Sequence, residues 1–179
     1  MSTHQVRAAR LREFLAQDPH NPDLACDLAD ALFASGDVIA ARDVLDSLPL
    51  DVALAPGVRF RLARCALATG EYANAASIHA EMLQEGLDGV ALRHDLAFAQ
   101  LCMQRADEAM GTLASAFDAF GATPELLILK SRIALMQGDF ALAVSSADEA
   151  LAMRPGDPIA LGVKALAQFD GSEQDASAY

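Results

Sequence analysis

The chain has no tryptophan, only 6% aromatic residues, and 13 Lys and Arg against 25 Asp and Glu. Scarce aromatics beside abundant Ala and Leu argue against a strand-rich fold and for helices. The shortage of cations leaves a net charge of -12 and a pI near 4.5. Such a field repels duplex nucleic acid and disfavours an anionic membrane surface. Cysteines number three, Cys26, Cys65 and Cys102, with no CxxC pair. That count suggests neither a disulfide framework nor a zinc site and predicts a reducing compartment. No apolar run approaches the roughly 18 residues of a membrane span. The first residues set Arg7, Arg10, Arg12 and Glu13 into an apolar pattern, which does not read as a signal peptide. A cytoplasmic protein is expected.

What is present is a repeat. The segments ASGDVIAA, ATGEYANA and MQGDFALA align, with glycines at Gly36, Gly70 and Gly138. The spacings are 34 and 68 residues, and Gln104 stands where a further glycine would fall. Ala41, Ala75, Ala109 and Ala143 recur without a gap, as do the small residues Ala29, Ala63, Ala97 and Ser131. Pro22, Pro56, Pro124 and Pro158 keep the same register, with Val90 in the remaining slot. Proline suits the first turn of a helix, and Asn21, Thr123 and Asp157 precede three of them as suitable N-caps. Each unit therefore reads as helix A, a tight turn, and helix B. Glycine ends helix A, and Asp37, Glu71 and Asp139 open helix B at its positive dipole end.

This pattern resembles the tetratricopeptide repeat family. The resemblance is carried by the turn glycines, the acid and aromatic of GEY and GDF, the recurrent alanine of helix B, and Pro155 in LAMRPGD. It implies an all-α fold, an α-α superhelix of antiparallel helix pairs, as one solenoid over residues 1–169. Four full units are expected at 22–55, 56–89, 90–123 and 124–157. A lone helix B is expected at 4–17 and a capping helix A at 158–169. Residues 170–179, DGSEQDASAY, read as a disordered acidic tail. The pattern departs from the family at the fourth position of each unit, which holds Ala25, Arg59, Arg93 and Leu127, and at Lys130. The third turn lacks glycine and has Arg105 in place of the acid, so a shifted or mobile turn is expected there.

The resemblance also implies that helix A residues line a concave groove for a peptide or partner helix. Mapped by position, its lining is Phe33, Phe60, Arg61, Arg64, Leu67, His94, Phe98, Leu101, Arg132 and Leu135. Asp27, Asp30, Asp95 and Leu129 continue the same rows, with Cys26, Ile128, Cys102 and Met136 between them. One reading is an apolar floor with arginine walls, suited to a peptide bearing apolar anchors and an acid. The other is a ladder in which Asp27, Arg61 and Asp95 alternate, Asp30 sits beside Arg64, and the arginines only tie repeats together. The family's terminal-carboxylate clamp needs Asn where this chain has Asp27 and Arg61, so that mode is not expected.

No HExxH, P-loop, GxSxG or dinucleotide-binding glycine pattern occurs. His94 and Asp95 adjoin in sequence and are expected to point to different helix faces. No catalytic residue, metal or cofactor is expected, and the chain does not read as an enzyme. Three functions compete: an adaptor that binds a peptide in the groove, a chaperone for a secreted client, and a structural or self-associating subunit. The second resembles the tetratricopeptide chaperones of bacterial type III secretion, which have three repeats rather than four.

Overall fold

In the computed structural model the described residues are 3–177, with side chains described through Ser172. They form helices and no strand. The chain divides into two compact units, Met1–Asp88 and Gly89–Tyr179. The first holds α1 (Thr3–Gln17), α2 (Pro22–Ala34), α3 (Val38–Asp46), α4 (Leu50–Ala53), α5 (Pro56–Ala68) and α6 (Tyr72–Gln84). The second holds α7 (Val90–Cys102), α8 (Ala106–Phe120), α9 (Pro124–Met136), α10 (Phe140–Met153) and α11 (Pro158–Ser177).

Helices α2, α5, α7, α9 and α11 begin at Pro22, Pro56, Val90, Pro124 and Pro158. Three of the five are capped by the side chain just before them. Asn21 Oδ1 accepts from the amides of Asp23 and Leu24, each at 3.1 Å. Thr123 Oγ1 accepts from Leu126 at 3.3 Å, and Asp157 Oδ1 accepts from Ile159 at 2.9 Å. These bonds satisfy amides that have no partner inside the helix. Asp37 and Asp139 do the same for α3 and α10, through Ala40 and Leu142.

The turn between paired helices has one geometry throughout. Asp37 N donates to Leu32 O at 3.0 Å, Glu71 N to Ala66 O at 2.8 Å, Arg105 N to Gln100 O at 2.9 Å and Asp139 N to Ala134 O at 2.9 Å. Each bond spans five residues and requires a left-handed residue just before the donor. Gly36, Gly70 and Gly138 supply it with φ of 87°, 83° and 76°. Gln104 supplies it in the third turn with φ 62°, the one positive φ among described non-glycine residues. The expected shift of this turn is therefore corrected. The surrounding helix pair holds Gln104 in the glycine conformation, and the turn keeps its register.

Within each unit a helix packs on its own partner and on the next helix A. In the first unit α2 meets α1, α3 and α5, and α5 meets α3 and α6. In the second, α9 meets α7, α8, α10 and α11. Small residues make the close crossings. Ala63, Ala97 and Ser131 of helix A are fully buried, and so are Ala41, Ala75, Ala109 and Ala143 of helix B. Ser131 shows the contact directly, since its Oγ donates to the carbonyl of Ala143 at 2.6 Å.

Two features depart from expectation. Helix B of the first repeat stops at Asp46, and after Leu48 a short α4 follows Pro49. Proline lacks the amide that would continue α3. At the other end, α11 runs to Ser177 rather than stopping at Phe169. The disordered tail expected from residue 170 is thus helical through 177, and 178–179 lie outside the described residues. Gly171 allows this path. A Cβ there would come within 3.3 Å of the Phe140 Cβ, so a larger residue would need the Phe140 side chain to give way.

Candidate functional site

The first unit gathers four of the expected groove residues around one depression. Phe33 and its neighbours Asp30 and Ala34 come from α2; Phe60, Arg61 and Arg64 come from α5. The cavity is about 240 Å³. Spacing explains the gathering: residues three and four apart share a helix face, so Asp30, Phe33 and Ala34 stand opposite Phe60, Arg61 and Arg64.

The two arginines have different duties. Arg61 is tied on two sides. Its Nε and Nη2 donate to the two carboxylate oxygens of Asp30 at 2.9 and 2.6 Å, and its Nη1 donates to Gly57 O at 3.1 Å. The Asp30 bonds raise the Arg61 pKa above its ordinary value, against partial desolvation. A planar, bidentate pair of this kind fixes orientation as well as charge. Arg64 is exposed and lies over the Phe33 ring, 5.2 Å from its centroid. That stack is a cation–π contact at the mouth of the depression. Phe60 is braced from behind by the fully buried His79 of α6, with ring centroids 5.6 Å apart.

The ladder expectation is corrected in its partners. Arg61 pairs with Asp30, one helical turn from Asp27, and Asp27 lies 3.5 Å from Arg7 of α1. Arg64 stacks over the Phe33 ring and lines the same depression as Asp30. Both carboxylate oxygens of Asp30 accept from Arg61, one from Nε and one from Nη2. Leu67 is half-buried against Ala63, Ala66 and Ala75 and belongs as much to the helix crossing as to the depression.

In the second unit Phe98 and Arg132 come together, with the guanidinium 5.2 Å above the ring. His94 is part-buried, and its Nδ1 lies 3.0 Å from Asp95 Oδ1. The expectation that these neighbours face apart is corrected, because both short side chains swing sideways along the helix surface to meet. Leu101 is only 4% exposed and joins Leu113 and Ile133 in the interior. It is not groove floor. Leu129 and Ile128 are buried as well, since α9 is enclosed by four helices. Leu135 is partly buried against Ala134, Ala143 and Ala167.

Three contributors were not anticipated. Asp30 stood in the mapped rows, but its pairing with Arg61 was not foreseen. Gly57 was not singled out, although a glycine in a first helical turn without a positive φ signals close approach. A Cβ there would stand 3.5 Å from Arg61 Nη1 and 3.7 Å from Cys26 Sγ. His79 occupies the slot held by Leu45 and Leu113 in other units, and that register marks it as a core residue. Burial pushes the Cys26 and Cys65 thiols up, which fits packing residues rather than nucleophiles.

Sequence models of the family described as tetratricopeptide repeat match residues 8–56, and again residues 95–158 and 128–179. Together they span well over half of the chain. The chain belongs to the tetratricopeptide repeat family. Its fold class is the all-α superhelix of that repeat family. Among solved structures, a tetratricopeptide repeat protein of Parabacteroides merdae superposes with a TM-score of 0.75 at 16% identity. That match covers 90% of this chain and 63% of the other, so this chain spans less than two thirds of that relative. The repeat protein TTC0263 of Thermus thermophilus has a TM-score of 0.75 at 20% identity, covering 93% and 91%. YrrB, a repeat protein described as having an unusual peptide-binding site, has a TM-score of 0.66 at 14% identity, covering 89% and 82%. At these identities the likeness is one of fold. No curated protein matches the chain in sequence. Among the described residues no helix is long and apolar enough to cross a membrane.

Proposed function

We propose that this chain is a non-enzymatic adaptor, and that the four units act as one array over residues 1–169. Its partner is a peptide or helix of another protein, held in the concave groove implied by the repeat family. The observation that carries the reading is the depression between α2 and α5. It offers an aromatic floor in Phe33 and Phe60, with the Arg64 guanidinium exposed at its mouth. Arg61 is committed to Asp30 and holds the walls together, and Arg64 presents an exposed guanidinium over the Phe33 ring. Such a site selects a segment with an apolar anchor and a carboxylate one or two residues away. Phe98 beneath Arg132 offers the same pairing in the second unit. The peptide-binding site named for YrrB supports this choice of ligand class.

A chain this acidic is read as binding neither nucleic acid nor anionic membrane, and the cytoplasm remains the compartment we propose. The test is a selection from a random peptide display library, followed by fluorescence anisotropy of the enriched peptides. Enriched sequences should pair an aliphatic or aromatic residue with a nearby acid. Arg64→Glu should weaken binding by about tenfold or more, the effect of reversing one charge at a ligand carboxylate. Its helical circular dichroism should match the parent. Undiminished affinity of Arg64→Glu would remove the site from the account.

A further inference from the structure

Asp30 stands in the depression as an acid among arginines. Its two carboxylate oxygens accept from Arg61 Nε and Nη2 at 2.9 and 2.6 Å, the side-on geometry that a ligand carboxylate would use. Arg61 Nη1 donates to Gly57 O at 3.1 Å, so three of the five guanidinium N–H groups are engaged, from two sides. This pins the guanidinium in the wall. The pair is nonetheless at the surface, with the Arg61 and Asp30 side chains 27% and 41% exposed. A ligand that enters the depression therefore meets the Asp30 carboxylate as well as the guanidinium.

The fold does not require the pair. Two repeats further on, in the second unit, the positions of Asp30 and Arg61 hold Phe98 and Leu129. Leu129 is buried there, and α7 still meets α9. One helix A thus closes on the next with no ion pair at these positions. An exposed pair also adds little stability, because solvent screens it and two side chains must be ordered to form it. What Asp30 does change is the charge that a ligand finds. Arg61, Arg64 and Asp30 are the charged residues that line the depression. A segment with several adjacent acids would have to displace Asp30 from Arg61, or lie against it with like charge.

We propose that Asp30 is a specificity-determining residue of the depression, a built-in counter-acid that limits how acidic a bound segment can be. On the adaptor reading above, on which this assignment rests, the site takes a segment with an apolar anchor and a single acid. It discriminates against the same segment with two adjacent acids. Asp30 does this through Arg61, by occupying the edge of the guanidinium that a second ligand acid would need. Phosphorylated side chains are disfavoured on the same ground, since a phosphate brings nearly two negative charges to one place.

Fluorescence anisotropy of the full chain with two versions of a display-selected peptide tests the assignment. One version has a single acid beside its apolar anchor, and the other has a second acid added next to the first. The parent should bind the one-acid peptide more tightly. Asp30→Asn keeps the shape, removes the charge and turns one acceptor into a donor, so Arg61 is released. The affinity for the two-acid peptide relative to the one-acid peptide should then rise by about tenfold, the gain from one charge-assisted hydrogen-bonded pair. Arg61→Gln in the Asp30→Asn background should abolish that rise, since no guanidinium is left to release. Asp27→Asn removes the same charge one helical turn away with the Arg61 pair intact, and should keep the parent ratio. Circular dichroism checks that each variant is folded, and Asp30→Ala gives the same readout if Asp30→Asn is not. An unchanged ratio without the Asp30 carboxylate, or a parent that prefers the two-acid peptide, would overturn the proposal and leave the adaptor reading standing. An equal rise in Asp27→Asn would overturn it in favour of the general field of an acidic chain. A parent that binds neither peptide would overturn the adaptor reading, and this assignment with it.

Discussion

Gln104 carries a conformation that the other three turns assign to glycine. With φ 62° its Cβ crowds the following carbonyl, at a cost of roughly 1 kcal/mol or more. Gln104→Gly should therefore raise stability by about 1 kcal/mol, less the backbone entropy that glycine loses on folding. Urea denaturation of the variant beside the parent measures the difference, and a lower midpoint would show that Gln104 is not strained. Carboxylates give a second test at this scale. Glu71 is held below the usual carboxylate range first by Arg42 and then by Thr69. Asp157 is held there first by the amide of Ala160, and Glu125 by Arg154. Folded values below unfolded ones mean that these groups stabilise the fold above the ordinary carboxylate pKa. That contribution is lost as the pH falls through the lowered folded values. Thermal melts should be level for these groups between about pH 7 and pH 5 and fall steeply below about pH 4. Asp157→Asn should flatten part of that acid limb, and an unchanged limb would deny the cap its role.

Helix pairs are where sequence and structure agree most closely, and the reason is steric. A 34-residue register of small residues can be read directly because each one sits at a crossing with no room to spare. Ala63 and Ala75 are both 0% exposed and pack in one cluster. Ala63→Leu should separate α5 from α6 and destabilise the fold by about 1–3 kcal/mol, the usual penalty of overpacking. Chemical denaturation checks it, and a stability equal to the parent would mean that the crossing can open without cost. The same register located Pro22, Asn21 and the turn glycines, since caps and left-handed turns depend on residues only a few positions away. It did not reveal α4 after Pro49, or the extension of α11 past Phe169. The extension depends on Gly171 meeting Phe140 of another helix, and no local pattern announces such a contact.

For the molecule as a whole, the rows of helix A residues were readable but their partners were not. Phe33, Phe60, Arg61 and Arg64 do line one depression, as their spacing implies. Which carboxylate Arg61 takes depends on how far α2 is displaced along α5, a tertiary quantity that pairs it with Asp30 rather than Asp27. Leu101 and Leu129 were misread because the outward row of one helix becomes interior when further helices enclose it. The adaptor reading rests on the depression in the first unit, and its residues can be watched individually. The most direct measurement is an amide and side-chain NMR titration of the full chain with an acidic, apolar peptide from the display selection. The account predicts shifts centred on Asp30, Phe33, Phe60 and Arg64, absent in Arg64→Glu. Shifts that leave α2 and α5 untouched would contradict it.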